Sequence, residues 1–246
     1  MDNEVMPPSM IARLLEEISW EKAVKYRAGG RGMENVLTAE VMMGLDLLPR
    51  DHFFGQFVRS CSGATDARAI LADQSESAVM SLLPGDMSVN GVGAAGPKFI
   101  VQPDAIITTP DVFVFVEAKR IRSSSFQPEQ LAREYVAVMS NAGDQLPLLF
   151  LLGVEPPVSV QGLGKLSILE AIRTHLPAVL LRAGDIGSDE ADLLHRIDDV
   201  VCWISWDGLA SSVSSQLATF SCGVPSADAA IERMGQQVMD AIRWHS

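Results

Sequence analysis

The chain has 246 residues, 48% hydrophobic and 20% charged, the balance of a folded domain rather than of a disordered tail. No apolar run reaches the ~20 residues of a membrane helix, and residues 1–9 carry acids and two prolines instead of the basic start and apolar stretch of a signal peptide, so a cytoplasmic protein without membrane association is expected. The formal net charge of −12 weighs against tight, unaided binding to nucleic acid, which draws on a basic face.

Residues 9–27 read as an amphipathic helix, with Ile11, Leu14, Leu15, Ile18 and Val24 at helical spacing and Ser9 placed to cap it. Gly29, Gly30 and Gly32 break the chain before a second helix, residues 33–48, which stops at Pro49. Residues 51–83 look mostly helical, anchored by Phe53, Phe54, Phe57 and Val58, and residues 84–97 form a glycine-rich loop. Two strands are expected at 99–108 and 112–119, then a helix at 128–141 opening on Pro128, a residue suited to a first turn. The apolar run 146–154 reads as a buried strand, 167–176 as a short helix, 178–182 as a short strand and 200–205 as another strand, with Trp206 just after it. The Trp203–Trp206 stretch is assigned to core packing. A last helix, 226–244, buries Ile231, Met234, Val238 and Ile242. Helices lead, a hairpin follows, and strands then mix with helices, an order that suggests an α/β sandwich around a mixed sheet. Residues 1–28 are read as a helical extension of a domain spanning 29–246.

Several chemistries drop out. Cys61, Cys202 and Cys222 are too few and too far apart for a disulfide framework or a zinc ribbon and are expected in the core. His52, His175, His195 and His245 share no metal-binding spacing. Gly91, Gly93 and Gly96 spell G-x-G-x-x-G, but Pro97 and a strand follow where a dinucleotide site needs a helix. That loop is read as a connector or as a loop beside an active site, and no organic cofactor is expected.

The informative segment is residues 102–119. Residues 112–116 are apolar on both faces, which marks a central strand, and Pro110-Asp111 suits a turn. If those two residues centre the turn, antiparallel pairing sets Asp104 opposite Glu117 on one face of the sheet, and Lys119, two residues on, shares that face. Two facing carboxylates repel, and a divalent cation with oxygen ligands resolves the conflict. Such an ion activates water and neutralises a phosphate, while a nearby lysine orients the water or stabilises developing charge.

Pro103-Asp104, with Glu117-Ala118-Lys119 thirteen positions on, resembles the PD-(D/E)xK nuclease superfamily, which includes restriction enzymes, resolvases and RecB-like nucleases. The resemblance spans roughly residues 30–154 and implies a restriction-endonuclease-like α/β/α sandwich with a central mixed sheet and extra flanking helices. It implies Asp104, Glu117 and the Ala118 carbonyl as ligands of Mg2+ or Mn2+, and Lys119 as the group that handles water or charge. Members of this group often add an acid from an early helix. At about 100° per residue, Glu34 lines up with Leu37, Val41, Leu45 and Leu48, whereas Glu40 points about 120° away, so Glu34 is preferred; a first-turn carboxylate favouring the helix N-terminus is the plain reading. RecB-like branches carry a glutamine on the following helix, often with an aromatic four positions on. Gln130 fits, with Gln127 as a second candidate, but Tyr135 stands five positions on.

The activity implied is hydrolysis of DNA, with RNA as the other substrate, in bacterial restriction, phage defence or repair. The acidic balance points to a protein partner or a homodimer that contributes to substrate affinity. The rival reading is a catalytically inactive nuclease-like domain that binds protein or nucleic acid.

Overall fold

The computed structural model describes residues 32–89, 99–119 and 125–245. The helix expected at residues 9–27, the boundary at residue 28 and Gly91, Gly93 and Gly96 lie outside them.

The protein is α/β: a six-stranded mixed sheet flanked by ten helices among the described residues. Its centre is β6 (Val112–Ala118), in which every residue is buried. Strand β6 pairs antiparallel with β5 (Ala105–Thr108), which pairs with the edge strand β2 (Val79–Leu82). On its other side β6 runs parallel to β7 (Leu146–Leu152), which is parallel to β10 (Val201–Ile204), and β1 (Ser62–Gly63) closes that edge antiparallel. Parallel neighbours need a crossover, and the β6-to-β7 crossover is α4 (Gln130–Asn141).

Alternation along β6 sorts the core into two layers. Val112, Val114 and Val116, with Leu148 and Phe150, pack on α1 (Gly32–Leu47), α2 (Phe54–Ser60), α3 (Thr65–Asp73), α9 (Trp206–Thr219) and α10 (Pro225–His245). Phe113 and Phe115, with Leu149 and Leu151, pack on α4, α5 (Ile168–Arg173), α6 (Leu176–Ala183), α7 (Glu190–His195) and α8 (Ile197–Val200). Two small two-stranded sheets lie outside the main one: β3 (Met87–Ser88) with β4 (Ile100–Val101), and β8 (Val158–Val160) with β9 (Gly164–Leu166).

Most expected elements are present, and four expectations are corrected. Residues 178–182 are not a strand but part of α6. Pro177 sits in its first turn, Leu176, Val179 and Ala183 are buried, and Leu181 is 84% exposed, a helical repeat too short to separate from a buried strand by pattern alone. Residues 79–82, expected in a helical region, form the edge strand β2. The strand expected over 99–108 is two strands, because Pro103 has no N–H for a ladder and the chain turns from β4 to β5 around it. Cys222 is exposed, while Cys61 and Cys202 are buried. No helix among the described residues is long and apolar enough to cross a membrane.

Helices α1 and α10 cross closely: Gly44 faces Val238, and His245 Nε2 lies 3.5 Å from Glu40 Oε2. A Cβ on Gly44 would overlap Val238 Cγ2. Overpacking of this kind costs ~1–3 kcal/mol, against a helix-propensity gain of ~1 kcal/mol. Gly44→Ala is therefore expected to lower the melting temperature, and adding Val238→Ala to recover part of the loss through coupling between neighbours. A Gly44→Ala protein melting above the wild type would count against this contact.

Candidate metal centre

The β5–β6 hairpin has the register that a Pro110-Asp111 turn dictates: Ala105 faces Val116, and Thr108 faces Phe113. The Thr109 N–H donates to the Val112 carbonyl at 3.0 Å, and the Val112 N–H donates to Thr109 Oγ1 at 3.1 Å. One step beyond the ladder, the Asp104 N–H donates to the Val116 carbonyl at 3.0 Å, which brings Asp104 level with Glu117. The Asp104 carboxylate then accepts from the Ala118 N–H at 2.7 Å.

Glu34 reaches the same place from the first turn of α1, in the opposite layer. Its phase on the stripe of Leu37, Val41, Leu45 and Leu48, all buried, directs it round the end of the sheet. Glu34, Asp104 and Glu117 offer carboxylate oxygens that all lie within 4.8 Å of one another, a group that could hold a metal ion. The donors are all carboxylate oxygens, the set that hard cations such as Mg2+, Ca2+ and Mn2+ favour. Glu40 is exposed and turned to His245 instead.

Lys119 leaves β6 at this point and is held at several places. Its N–H donates to the Leu152 carbonyl at 2.8 Å, and its own carbonyl accepts from the Trp206 indole N–H at 2.6 Å. Gly153, at φ +80°, stands against this contact, and a Cβ there would overlap both the indole nitrogen and the Lys119 oxygen. The ammonium is paired with Glu117, lies 3.8 Å from Glu34 Oε1 and stands 4.9 Å from the Phe126 ring centroid. Glu117 is 5% exposed and Lys119 7%.

Helix α4 supplies the remaining wall. Gln130 Nε2 donates to Glu117 Oε1, and Gln130 Oε1 accepts from the Gln127 N–H at 3.2 Å. The two candidate glutamines thus form one unit, with the Gln130 side chain in contact with the carboxylate. Tyr135 points away into the core, where its hydroxyl donates to the Leu193 carbonyl at 2.6 Å. Two residues of the site stand outside those singled out from the sequence. Trp206, expected in core packing, also bonds to Lys119 across 87 positions. Glu134, one turn after Gln130, is buried on the stripe of Leu131, Tyr135 and Val138. That placement is the same signal that singled out Glu34.

The electrostatics follow from crowding. Burial, then the charges of Glu117 and Glu34, hold the Asp104 carboxyl well above the usual carboxylate range, against the pull of the Ala118 N–H and Lys119. Burial and the Glu117 charge do the same to Glu134. Burial alone would depress the Lys119 ammonium, but Glu117, Glu34 and Glu134 outweigh it and keep the ammonium charged. Arg133, on α4, donates to the Ile100 carbonyl and stacks over Phe99 at 5.8 Å.

Carboxyls in the unfolded chain ionise near pH ~4, whereas Asp104 and Glu134 retain their protons to higher pH in the folded protein. The folded state therefore binds more protons, and this contribution to stability is full below pH ~4 and is lost as pH rises through the raised range. In chelator, the melting temperature is expected to fall with pH over that range. Asp104→Asn, which keeps the acceptor for the Ala118 N–H, should flatten the fall. Adding Mn2+ at neutral pH should raise melting in the wild type by mass action and leave Asp104→Asn unmoved. Equal shifts in both proteins would remove Asp104 from the centre.

No family model matches the chain, and no curated protein or solved structure matches it.

Proposed function

We propose that the chain is a metal-dependent nuclease that hydrolyses phosphodiester bonds in DNA. The observation that carries this reading is the convergence of Glu34, Asp104, Glu117 and Lys119 where a fully buried strand ends. The three carboxylates, with the Ala118 carbonyl beside them on the backbone, would hold Mg2+ or Mn2+. When bound, such an ion supplies neutralisation of a phosphate and a more acidic water.

The chain's own residues do the rest. The Ala118 N–H bond holds Asp104 across the hairpin from Glu117. Gln130 and Lys119 both donate to Glu117 Oε1, which leaves the other oxygen of that carboxylate for the cation. Lys119, clamped through both its N–H and its carbonyl, presents an ammonium that orients the attacking water and meets negative charge developing on the phosphate. The Phe126 ring and Trp206 exclude water from the inner side of the ammonium and its backbone.

The net charge of −12 favours a second component: a basic protein partner, or a second copy, that adds to the hold on nucleic acid. It also favours the rival reading of an inactive binding module.

The test is to incubate the full chain with plasmid, linear and single-stranded DNA and with RNA, in Mg2+, Mn2+ or chelator. Cleavage of DNA that needs the metal is expected, with Asp104→Ala at background and Lys119→Ala slower by about 10²–10³-fold, the effect of losing one charge-stabilising donor. No cleavage in any metal would support the binding module. Cleavage that survives both substitutions would remove these residues from the chemistry.

A further inference from the structure

We propose that Glu134 is a positioning residue of this centre: through Gln130 and Glu117 it fixes the direction in which Glu117 faces a divalent cation. The inference rests on the cation-binding reading above and adds a residue to it.

Glu134 follows Gln130 by one helical turn, so both project from the same side of α4, towards the end of β6. Glu134 is 6% exposed, and its Oε2 has no hydrogen-bond partner among the described residues. Its carboxyl lies close enough to Gln130 and Glu117 for both to act on it. It is not one of the three residues whose ligand oxygens cluster within 4.8 Å of one another, so its role is to position Glu117 rather than to serve as a ligand.

The orientation of Gln130 ties the parts together. The Gln127 N–H occupies the Gln130 oxygen, so the amide nitrogen must face the carboxyl groups. One side of Glu117 is therefore fixed by Gln130 and Lys119, and Glu134 backs both Gln130 and Glu117. Without it, Gln130 loses its neighbour on the helix and Glu117 gains room to turn.

The choice of residue carries weight. Leu131, Tyr135 and Val138 surround Glu134 on a buried stripe, where a polar group costs stability unless it is satisfied. Leucine suits that environment better. A carboxyl there gains nothing for the core, and what it touches is the centre.

The experiment is isothermal titration of the full chain with Mn2+, with circular dichroism and thermal melting on the same samples. Glu134→Leu is expected to fold, to melt at or above the wild type, and to bind Mn2+ about 10–100-fold more weakly, the usual effect of removing a group that orients a ligand. Glu134→Gln, with the same shape and a donor for Glu117, should restore affinity close to wild type. Gln130→Leu, which cuts the link and leaves Glu134 in place, should weaken binding likewise. Combining it with Glu134→Leu should add little, since the two act as one unit. Wild-type affinity in Glu134→Leu overturns the proposal. So does a Glu134→Gln protein as weak as Glu134→Leu, because Glu134 would then be a ligand itself. A wild-type chain that binds no Mn2+ overturns the cation reading as well, and is told apart by the wild-type titration alone.

Discussion

Strand β6 has no wet face, and the placement of the charged groups follows from that. Seven consecutive residues, Val112–Ala118, are buried between two helical layers, so a charged side chain can enter only where the strand runs out. Glu117 and Lys119 lie at that end. The hairpin cannot slip to rearrange them. A shift of one residue would turn Phe113 and Phe115 into the layer shaped for valines, and the Pro110-Asp111 turn is itself held by Gln74, whose side chain accepts from the Asp111 N–H at 3.2 Å. The pairing of Asp104 with Glu117 is thus a consequence of the core.

That placement gathers like charges at some cost. Two unit charges within 4.8 Å of each other repel by about 3.5 kcal/mol or more at an effective dielectric of ~20, and that repulsion, with burial, is what holds the Asp104 carboxyl protonated beside Glu117 and Glu34. Lys119 offsets part of this and is itself expensive to bury. Nothing in the packing requires the arrangement: valine and leucine at these positions would extend the hydrophobic layers already present. Groups that weaken a fold and sit together at one exit from its core fit a site kept for binding. A cation could satisfy all three carboxylates at once.

How far this could be read from the residues depended on whether the signal was local. The register of Asp104 and Glu117 was legible because strand alternation and one turn determine it. Glu34 was legible because helical phase put an acid on an apolar stripe. Glu134 carries that same mark, on the stripe of Leu131, Tyr135 and Val138, whereas the hydroxyl of Tyr135 is used in the core. The Trp206 bond to the Lys119 carbonyl was not legible, because no pattern along the chain links positions 87 apart. Nor was α6, whose apolar run is too short to show a period. Local periodicity thus located the carboxylates, and tertiary contacts between distant segments supplied the clamp on Lys119.

The charge of the centre also bears on the acidity of the whole chain. With Glu34, Asp104 and Glu117 ionised and Lys119 charged, the centre carries −3 + 1 = −2, and one divalent ion brings it to zero. On the nuclease reading, a phosphate therefore meets a repulsive centre without the ion and a neutral one with it. Binding of the ion and of the substrate must then favour each other by equal free energies, since such coupling is reciprocal. Neutrality, however, supplies no attraction, and affinity for nucleic acid comes chiefly from phosphates neutralised by basic groups. Arg133, the arginine of α4 beside the centre, is committed to the Ile100 carbonyl and the Phe99 ring. On that reading a basic partner surface would supply the remaining attraction, in keeping with the net charge of −12.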